Sequence, residues 1–449
     1  MSGLAEVLAG LGHVVSGSDL RMSRVTDRLR RMGIRCSAGH DARYVAGADV
    51  VVVSAAVPPD NPERGAALRS GIPVVGRGAM LAGLAASKRA VAVAGSHGKT
   101  TTTAMVAVVL EAAGLDPTAI VGGTVSAFGG NARLGRGKFM VVEADESDRS
   151  FLRLSPEVAV LTNLDEEHLD AYGEIGELER AFVDFAARVP PGGCVVACLD
   201  DERLRRLLPG IPAPVVTYGL DDPSASLFAV ETTCAAAGSR ARVRFPAGDT
   251  TEVELALGVP GRHNVRNAMA ALAVAARLGV SPATAAAALA RFRGADRRLQ
   301  VCGEAAGVVV IDDYAHHPTE IDAVLETVRL RAPRRVRVVF QPHRYSRTIG
   351  LLDRFGAALA AADEVVLTAV YSAGEPPVPG ATAEAVAEAV RRRATLPVKV
   401  IAELDDVPGH VAATSRAGDV VLTLGAGSIA AVPQRILDAL RRGAEPAAR

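Results

Sequence analysis

Short runs of branched aliphatic residues recur along the whole chain, and each is followed by a segment with helical spacing of its apolar positions. In the first stretch, Leu4–Leu11 reads as the end of a short helix and His13–Gly17 as a strand ending near Asp19. Residues 23–32 and 62–70 read as helices, Asp49–Ser54 as a buried parallel strand, and Pro73–Val75 as a short strand. The apolar run Arg89–Ala94 predicts a central strand, followed by a helix over Lys99–Ala113, and Phe139–Glu143 and Val158–Leu161 read as further buried strands. Residues 226–257 alternate between apolar and polar, which predicts a small antiparallel section. An Ala-rich helix over Asn264–Leu278 is expected to end at Gly279. Beyond it, Gly307–Asp312, Val336–Phe340, Glu364–Thr368, Val398–Ile401 and Asp419–Thr423 read as strands with helices between them.

Strand–helix alternation of this kind builds parallel sheets. The expected class is therefore α/β, with three domains over 1–87, 88–296 and 297–449: a Rossmann-like unit, a P-loop-type ATPase unit with a parallel sheet plus a small antiparallel section, and a second Rossmann-like unit. The length, 449 residues, fits that number.

Composition narrows the function classes. Fifty basic and fifty acidic residues give no net charge, and aromatics are 4% without a tryptophan. A dedicated nucleic-acid binder would carry a basic excess or stacking aromatics, so no nucleic-acid partner is expected. No apolar run reaches the ~18 residues of a membrane span, and no basic leader precedes the first apolar stretch, so a cytoplasmic protein without a membrane partner is expected. Five scattered cysteines, with Cys194 and Cys198 lacking a second pair, read as small thiols rather than a zinc site. The only lysines are Lys88, Lys99, Lys138 and Lys399.

Lys99 falls in the strongest motif, Gly95-Ser96-His97-Gly98-Lys99-Thr100-Thr101-Thr102, which lies between a predicted strand and a predicted helix. Amides of such a loop and of the helix N-terminus favour phosphate oxygens, a lysine neutralises β/γ-phosphate charge, and a hydroxyl ligates Mg²⁺. Val93 stands where the generic P-loop has its first glycine, so a shorter GxxGKT form remains. After the next strand come Glu143, Asp145, Glu146 and Asp148. Glu143, nearest the strand end, is the metal candidate, and Glu146 and Asp148 read as a solvated acidic loop. His168, after a third strand, reads as a metal ligand or a group polarising a phosphate. Asn264 and Asn267 share one helix face and suit either an adenine edge or a cap. Asp312–Glu320 and Gln341–Thr348 follow two strands of the last unit and project from one sheet edge. Arg344 and Arg347 there read as a carboxylate fork or as surface arginines.

Seven blocks together resemble the ATP-dependent Mur ligases of peptidoglycan synthesis: Ser2–Leu8, Ser16–Asp19, Gly95–Thr103, Glu143–Phe151, Gly261–Ala268, Asp312–Glu320 and Phe340–Thr348. They span nearly the whole chain in family order. The resemblance implies that the first domain binds a UDP-sugar, the second ATP, and that the third brings an amino acid and closes over both. Gly95, Ser96, His97, Gly98, Lys99, Thr100 and Thr101 would hold ATP phosphates, with Asn264 and Asn267 near adenine and Asp312 near the ribose. Thr100, Glu143 and His168 would hold Mg²⁺. Tyr314, His316, His343, Arg344 and Arg347 would receive the amino acid, and Asp19 and Ser54 would meet the UDP-sugar. Lys99, His168, Arg344 and Arg347 would form the catalytic set.

Several family members use a carbamylated lysine as a metal ligand, but no lysine lies between Lys138 and Lys399. The resemblance therefore points to the alanine-adding branch, with UDP-N-acetylmuramate, L-alanine and ATP as substrates and a monomer or weak homodimer as the assembly. The alternatives are a branch that attaches recycled tripeptide to the same UDP-sugar, and a non-catalytic nucleotide-binding relative. Met1 stands where the family continues back into a strand and a GxGGxG loop. We therefore expect a start 15–25 residues upstream, and ladder groups of Val14–Val15 or Val50–Val53 without one neighbour.

Overall fold

The computed structural model describes residues 1–245 and 252–444. The chain forms two compact units. One comprises Met1–Thr232, Arg240–Leu257 and Asn264–Arg293; the other comprises Thr233–Ser239, Gly258–His263 and Gly294–Arg449.

The first unit opens with a helix, Ser2–Gly10, followed by strands β1 (Ser16–Asp19), β2 (Arg35–Ala38), β3 (Val51–Val53) and β4 (Val74–Gly76). Among the described residues β1 pairs only with β2 and β3 only with β4, both in parallel, so two separate two-stranded sheets form. β3, within the stretch Val50–Val53, has a single ladder partner, whereas Val14 and Val15 lie in no strand. The first strand starts at Ser16 rather than His13, and Val14 is 93% exposed. An apolar pair gains nothing from strand geometry where no sheet face covers it. The polar strand β2 and the helix Arg77–Ala86 have no counterpart among the predicted elements, the former because Arg-Cys-Ser-Ala has no apolar run.

The rest of this unit is a ten-stranded sheet built from β5 (Arg89–Ala94), β6 (Thr118–Val125), β7 (Gly130–Arg133), β8 (Phe139–Glu143), β9 (Val158–Leu161), β10 (Cys194–Cys198), β11 (Val215–Gly219), β12 (Leu227–Ala235), β13 (Gly238–Arg244) and β14 (Glu252–Leu257). Its order is β14-β13-β12-β11-β10-β9-β5-β8-β6-β7. In the expected antiparallel section, two residues join β12 to β13, a connection only an antiparallel pair permits, and β14 lies beside β13. Thr251, expected in the last of these strands, lies outside the described residues.

The centre positions chemistry. β5 lies between β9 and β8, parallel to both, and from Ala90 to Ala94 it is at most 5% exposed. Strands buried on both faces read as continuous apolar runs, as these do. The register pairs Val93 with Glu143 and Ala94 with Leu161. Three strands therefore end together, and Gly95, Glu143 and Thr162 come to one carboxyl edge, where open α/β sheets bind ligands.

The second unit holds a six-stranded sheet of β15 (Gln300–Ala305), β16 (Val308–Asp313), β17 (Arg335–Phe340), β18 (Glu364–Leu367), β19 (Val398–Val400) and β20 (Asp419–Leu424), in the order β15-β16-β20-β17-β18-β19. All pairs are parallel except β15–β16, where β15 is an edge strand absent from the predicted elements. Two apolar clusters cover the two faces, one around Phe340 and Phe355, the other around Val310, Val421 and Ile436. Asp313 and Phe340 both pair with Leu424, so the segments after β16, β17 and β20 share one edge. No described helix is long and apolar enough to cross a membrane.

Candidate active site

Four residues, Gly95–Gly98, join β5 to the helix Lys99–Ala112. Gly95 has φ +139°, and a Cβ there would lie 1.9 Å from Thr162 Oγ1; Gly98 has φ +81°, and its Cβ would lie 2.6 Å from Asn267 Oδ1. Both the backbone and the neighbours demand glycine. The segment after β9 braces the loop. Asn163 Oδ1 accepts from His97 N at 2.8 Å, Thr162 Oγ1 donates to His97 O at 2.6 Å, and Ser96 Oγ accepts from Asp165 N at 2.8 Å. His97 Nε2 lies 3.1 Å from Asp165 Oδ2. Sequence reasoning passed over Thr162, Asn163 and Asp165, although all three sit in the segment that leads to His168.

The first helical bond runs from Thr102 N to Gly98 O, and the amides before it, of Lys99, Thr100 and Thr101, belong to the open N-terminus of the helix. Lys99 Nζ donates to Gly95 O at 2.6 Å and to Glu146 Oε1 at 2.6 Å. Burial opposes the ammonium charge, but the carboxylates of Glu146, Glu167, Glu143 and Asp145 outweigh it and raise the Lys99 pKa. Thr100 Oγ1 donates to both Glu143 oxygens, at 3.0 and 3.2 Å, and Gly122 N donates to Glu143 Oε2 at 2.7 Å. A hydroxyl and a carboxylate therefore converge at the carboxyl edge of the sheet, beside the Gly95–Gly98 loop.

The acidic loop divides in two. Asp148 is exposed, as expected, but Glu146 is fully buried, which corrects its reading as a solvated acid. Burial pushes its carboxyl up to about 7, against the pull of Lys99. Pairing with Lys99 is what a solvated-loop reading overlooked. His168, with φ +56°, stands with Nε2 3.7 Å from Glu146 Oε1 and 3.8 Å from Glu167 Oε1. Thr100 thus meets Glu143, and His168 stands beside Glu146 and Glu167.

Asn264 and Asn267 are buried on the helix Arg262–Arg277, which Gly279 follows with φ +79°. Asn267 Oδ1 accepts from Thr102 Oγ1 at 3.2 Å and rests against Gly98, so this amide supports the Gly95–Gly98 loop.

The second unit gathers all five residues expected to receive the amino acid. The rings of Tyr314 and His316 lie 5.2 Å apart, those of His316 and His343 5.7 Å, and His343 stacks on Tyr371 at 5.5 Å. Arg347 Nη1 lies 3.2 Å from His343 Nδ1. Burial, then the neighbouring His316, Arg347 and Arg344, push His343 down to about 3, so its ring is neutral near pH 7 and can accept from Arg347. Arg344, at φ +69°, donates from Nε to Glu375 Oε1 at 2.5 Å, and Ser346 donates to the same carboxylate through N and Oγ. Arg344 thus meets Glu375, and Arg347 meets His343. Tyr371 and Glu375 went unnoticed because they lie 27 or more positions from the Gln341–Arg344 stretch in sequence and meet it only through the sheet. Asp312 is buried; it accepts from Arg297 Nε at 2.7 Å and Thr423 Oγ1 at 2.8 Å.

Asp19 is exposed at the end of β1, and Ser54 follows β3 half-buried. Beside them, Ser18 Oγ donates to Glu63 Oε1 at 2.6 Å and lies 3.0 Å from His40 Nδ1, a link that the sequence pattern did not suggest.

Comparison with known proteins agrees across the chain. Sequence profiles of the Mur ligase family match in order: the family's catalytic domain over residues 1–89, the middle domain over 93–275, and the glutamate ligase domain over 297–427. A UDP-N-acetylmuramate–L-alanine ligase of Solibacter usitatus is 48% identical over 442 residues, covering 98% of this chain and 93% of the relative. The crystal structure of UDP-N-acetylmuramate–alanine ligase MurC from Thermotoga maritima superposes with a TM-score of 0.84 at 30% identity, over 99% of this chain and 97% of the other. A murein peptide ligase from Psychrobacter arcticus gives a TM-score of 0.76 at 27% identity, over 98% and 96% of the two chains.

Proposed function

The chain belongs to the Mur ligase family, and from that premise we propose that it joins L-alanine to UDP-N-acetylmuramate with hydrolysis of ATP to ADP and phosphate, in peptidoglycan precursor synthesis. The observation that carries this is near-full-length identity of 46–48% to alanine-adding ligases, in a chain that keeps the Gly98-Lys99-Thr100 loop and the His343–Arg347 cluster.

In the chemistry proposed, the sugar's lactyl carboxylate attacks the γ-phosphate of ATP, forming an acyl phosphate and releasing ADP. The alanine amine attacks the acyl carbon, loses a proton, and phosphate leaves. No side-chain nucleophile is required; positioning and charge neutralisation suffice. Lys99 supplies that charge by exchanging Glu146 for phosphate oxygens, and the Gly95–Thr101 amides add backbone dipoles. Arg347 takes the alanine carboxylate, while neutral His343 adds no charge of its own. Arg344, fixed by Glu375, and the rings of Tyr314 and His316 bound that pocket. Asn264 and Asn267 support the nucleotide, Asp312 lies near its ribose, and Asp19 and Ser54 face the UDP-sugar.

Mg²⁺ fits Thr100 and Glu143, whose hard oxygen donors face each other; it would neutralise phosphate charge there. Residues 1–87, 88–296 and 297–449 are the UDP-sugar, ATP and amino-acid domains of this reading, in a cytoplasmic monomer or weak homodimer. Phosphate release from ATP, measured with each substrate omitted in turn, tests the assignment. Turnover that needs both UDP-N-acetylmuramate and L-alanine supports it, and turnover with the tripeptide but not alanine overturns it.

A further inference from the structure

We propose that Lys88, Arg89, Arg136 and Lys138 form a binding site for a compact, multiply charged phosphate anion, at the edge of the ten-stranded sheet remote from the Gly95–Gly98 loop. The four side chains line an open pocket of about 450 Å³, a volume within the range of small-molecule sites. Ala86, Ser87 and Gly137 complete the lining, so no acid belongs to it. Arg89 is already paired with Glu157 through two hydrogen bonds. Lys88, Arg136 and Lys138 therefore carry the uncompensated charge, and the last two are exposed. Against them the C-terminal end of the helix Arg77–Ala86 brings only about half a negative charge. An arginine fork and two ammonium groups on one concavity suit phosphate oxygens. Their summed charge matches a diphosphate or triphosphate group, which inorganic polyphosphates and nucleotides share.

The pocket is held in shape by contacts of its own. Lys88 Nζ donates to Gly137 O at 2.5 Å and to Gly135 O at 3.4 Å, which fixes the turn before β8 against the start of β5. Arg136 N donates to Asp116 Oδ2 at 2.8 Å. A Cβ at Gly137 would lie 1.9 Å from Leu115 O, and one at Gly135 2.1 Å from Asp116 O, so the close approach of backbone demands glycine at both. Arg89 is in register with Phe139, so Lys88 and Lys138 stand together just before the amino ends of neighbouring parallel strands. The six residues of β5 separate this edge from the Gly95–Gly98 loop by about 20 Å. An anion held here is therefore distinct from one held at the loop, and the site does not depend on the proposed ligation.

The chain has only four lysines, Lys88, Lys99, Lys138 and Lys399, so acetylation by acetic anhydride, followed by mass spectrometry, reads each one separately. The full chain is titrated with sodium tripolyphosphate at constant ionic strength. At about ten times the dissociation constant, tripolyphosphate should slow acetylation of Lys138 about ten-fold and leave Lys399 unchanged. Lys99 reports on the loop by itself, so failure of either reading leaves the other standing. Arg136→Gln should raise the concentration that protects Lys138 about ten-fold. Arg206→Gln, which removes the same charge from an exposed position elsewhere in this unit, should not move it. Thermal unfolding checks that each variant is folded, and the wild-type titration decides the matter without them. ATP in place of tripolyphosphate separates the sources: protection by both extends the site to nucleotides, and protection by tripolyphosphate alone confines it to inorganic polyphosphate. Tripolyphosphate that leaves Lys138 unprotected, or slows Lys138 and Lys399 equally as an adventitious ion only, overturns the proposal, as does an unshifted titration in folded Arg136→Gln.

Discussion

In the proposed reaction the nucleotide chemistry turns on Lys99, whose ammonium sits in the loop and is kept protonated by four carboxylates. Lys99→Ala should cost on the order of 10²-fold or more in ATP turnover, with the fold intact by circular dichroism; turnover within a few-fold of wild type would remove Lys99 from the phosphate site. Arg347 carries a different expectation. Charge-assisted hydrogen bonds contribute about 1.5–3 kcal/mol, so Arg347→Ala should raise KM for alanine about ten-fold or more and leave KM for ATP nearly unchanged. Equal effects on both constants would point to a general structural role instead. His343 adds a pH dependence. Its folded pKa of about 3 lies below the ordinary 6.5, so between those values the unfolded chain binds more protons than the folded one. Stability from this group is complete above pH 6.5 and is lost as pH falls towards 3. A His343→Gln variant should therefore show a shallower fall in unfolding free energy across that window; an unchanged slope would mean the ring is solvated.

At the scale of elements, the loop and the helix Arg262–Arg277 are matched through one contact, Gly98 against Asn267. Gly98→Ala places a Cβ 2.6 Å from Asn267 Oδ1 at φ +81°, a backbone region that costs an alanine about 1–2 kcal/mol. Nucleotide affinity should fall, and Asn267→Ala in the same chain should recover part of the stability by removing the clash, leaving the backbone term. Strict additivity of the two losses would show that the side chains do not meet. Much of this architecture was legible in the sequence. β5, β8 and β9 are unbroken apolar runs, as strands buried on both faces must be, and Gly98-Lys99-Thr100 announces the loop between strand and helix. What the sequence hid arises across elements. Glu146 looks like any acid in a polar loop until the fold brings Lys99 to it. Glu375 and Arg344 are 31 positions apart and meet only because the segments after β17 and β18 leave the same sheet edge. β2 has no apolar run and is fixed by its pairing with β1.

Across the whole molecule, ladder support is uneven. β5 has a hydrogen-bonded neighbour on each side within a ten-stranded sheet, whereas β1 and β3 each have one. Isolated two-stranded sheets are marginal, and a segment opens most easily where it buries little apolar surface. Amide exchange at Ser16–Asp19 and Val51–Val53 should therefore be at least about 10²-fold faster than at Val91–Ala94. Comparable protection would show that the N-terminal strands unfold only with the sheet. Such a gradient would place the mobile part of the chain in the segment proposed to meet the UDP-sugar, and the rigid part at the loop proposed to hold phosphate, where charge must be held in place. The central claim is that these parts perform one ligation. Its most direct test is the rate of phosphate release from ATP in the presence of Mg²⁺, UDP-N-acetylmuramate and L-alanine, with the alanylated UDP-sugar quantified by mass spectrometry. One phosphate per product formed, and none above background when either acceptor is omitted, is the result predicted. Phosphate release that ignores both acceptors, or no alanylated product at all, would contradict it.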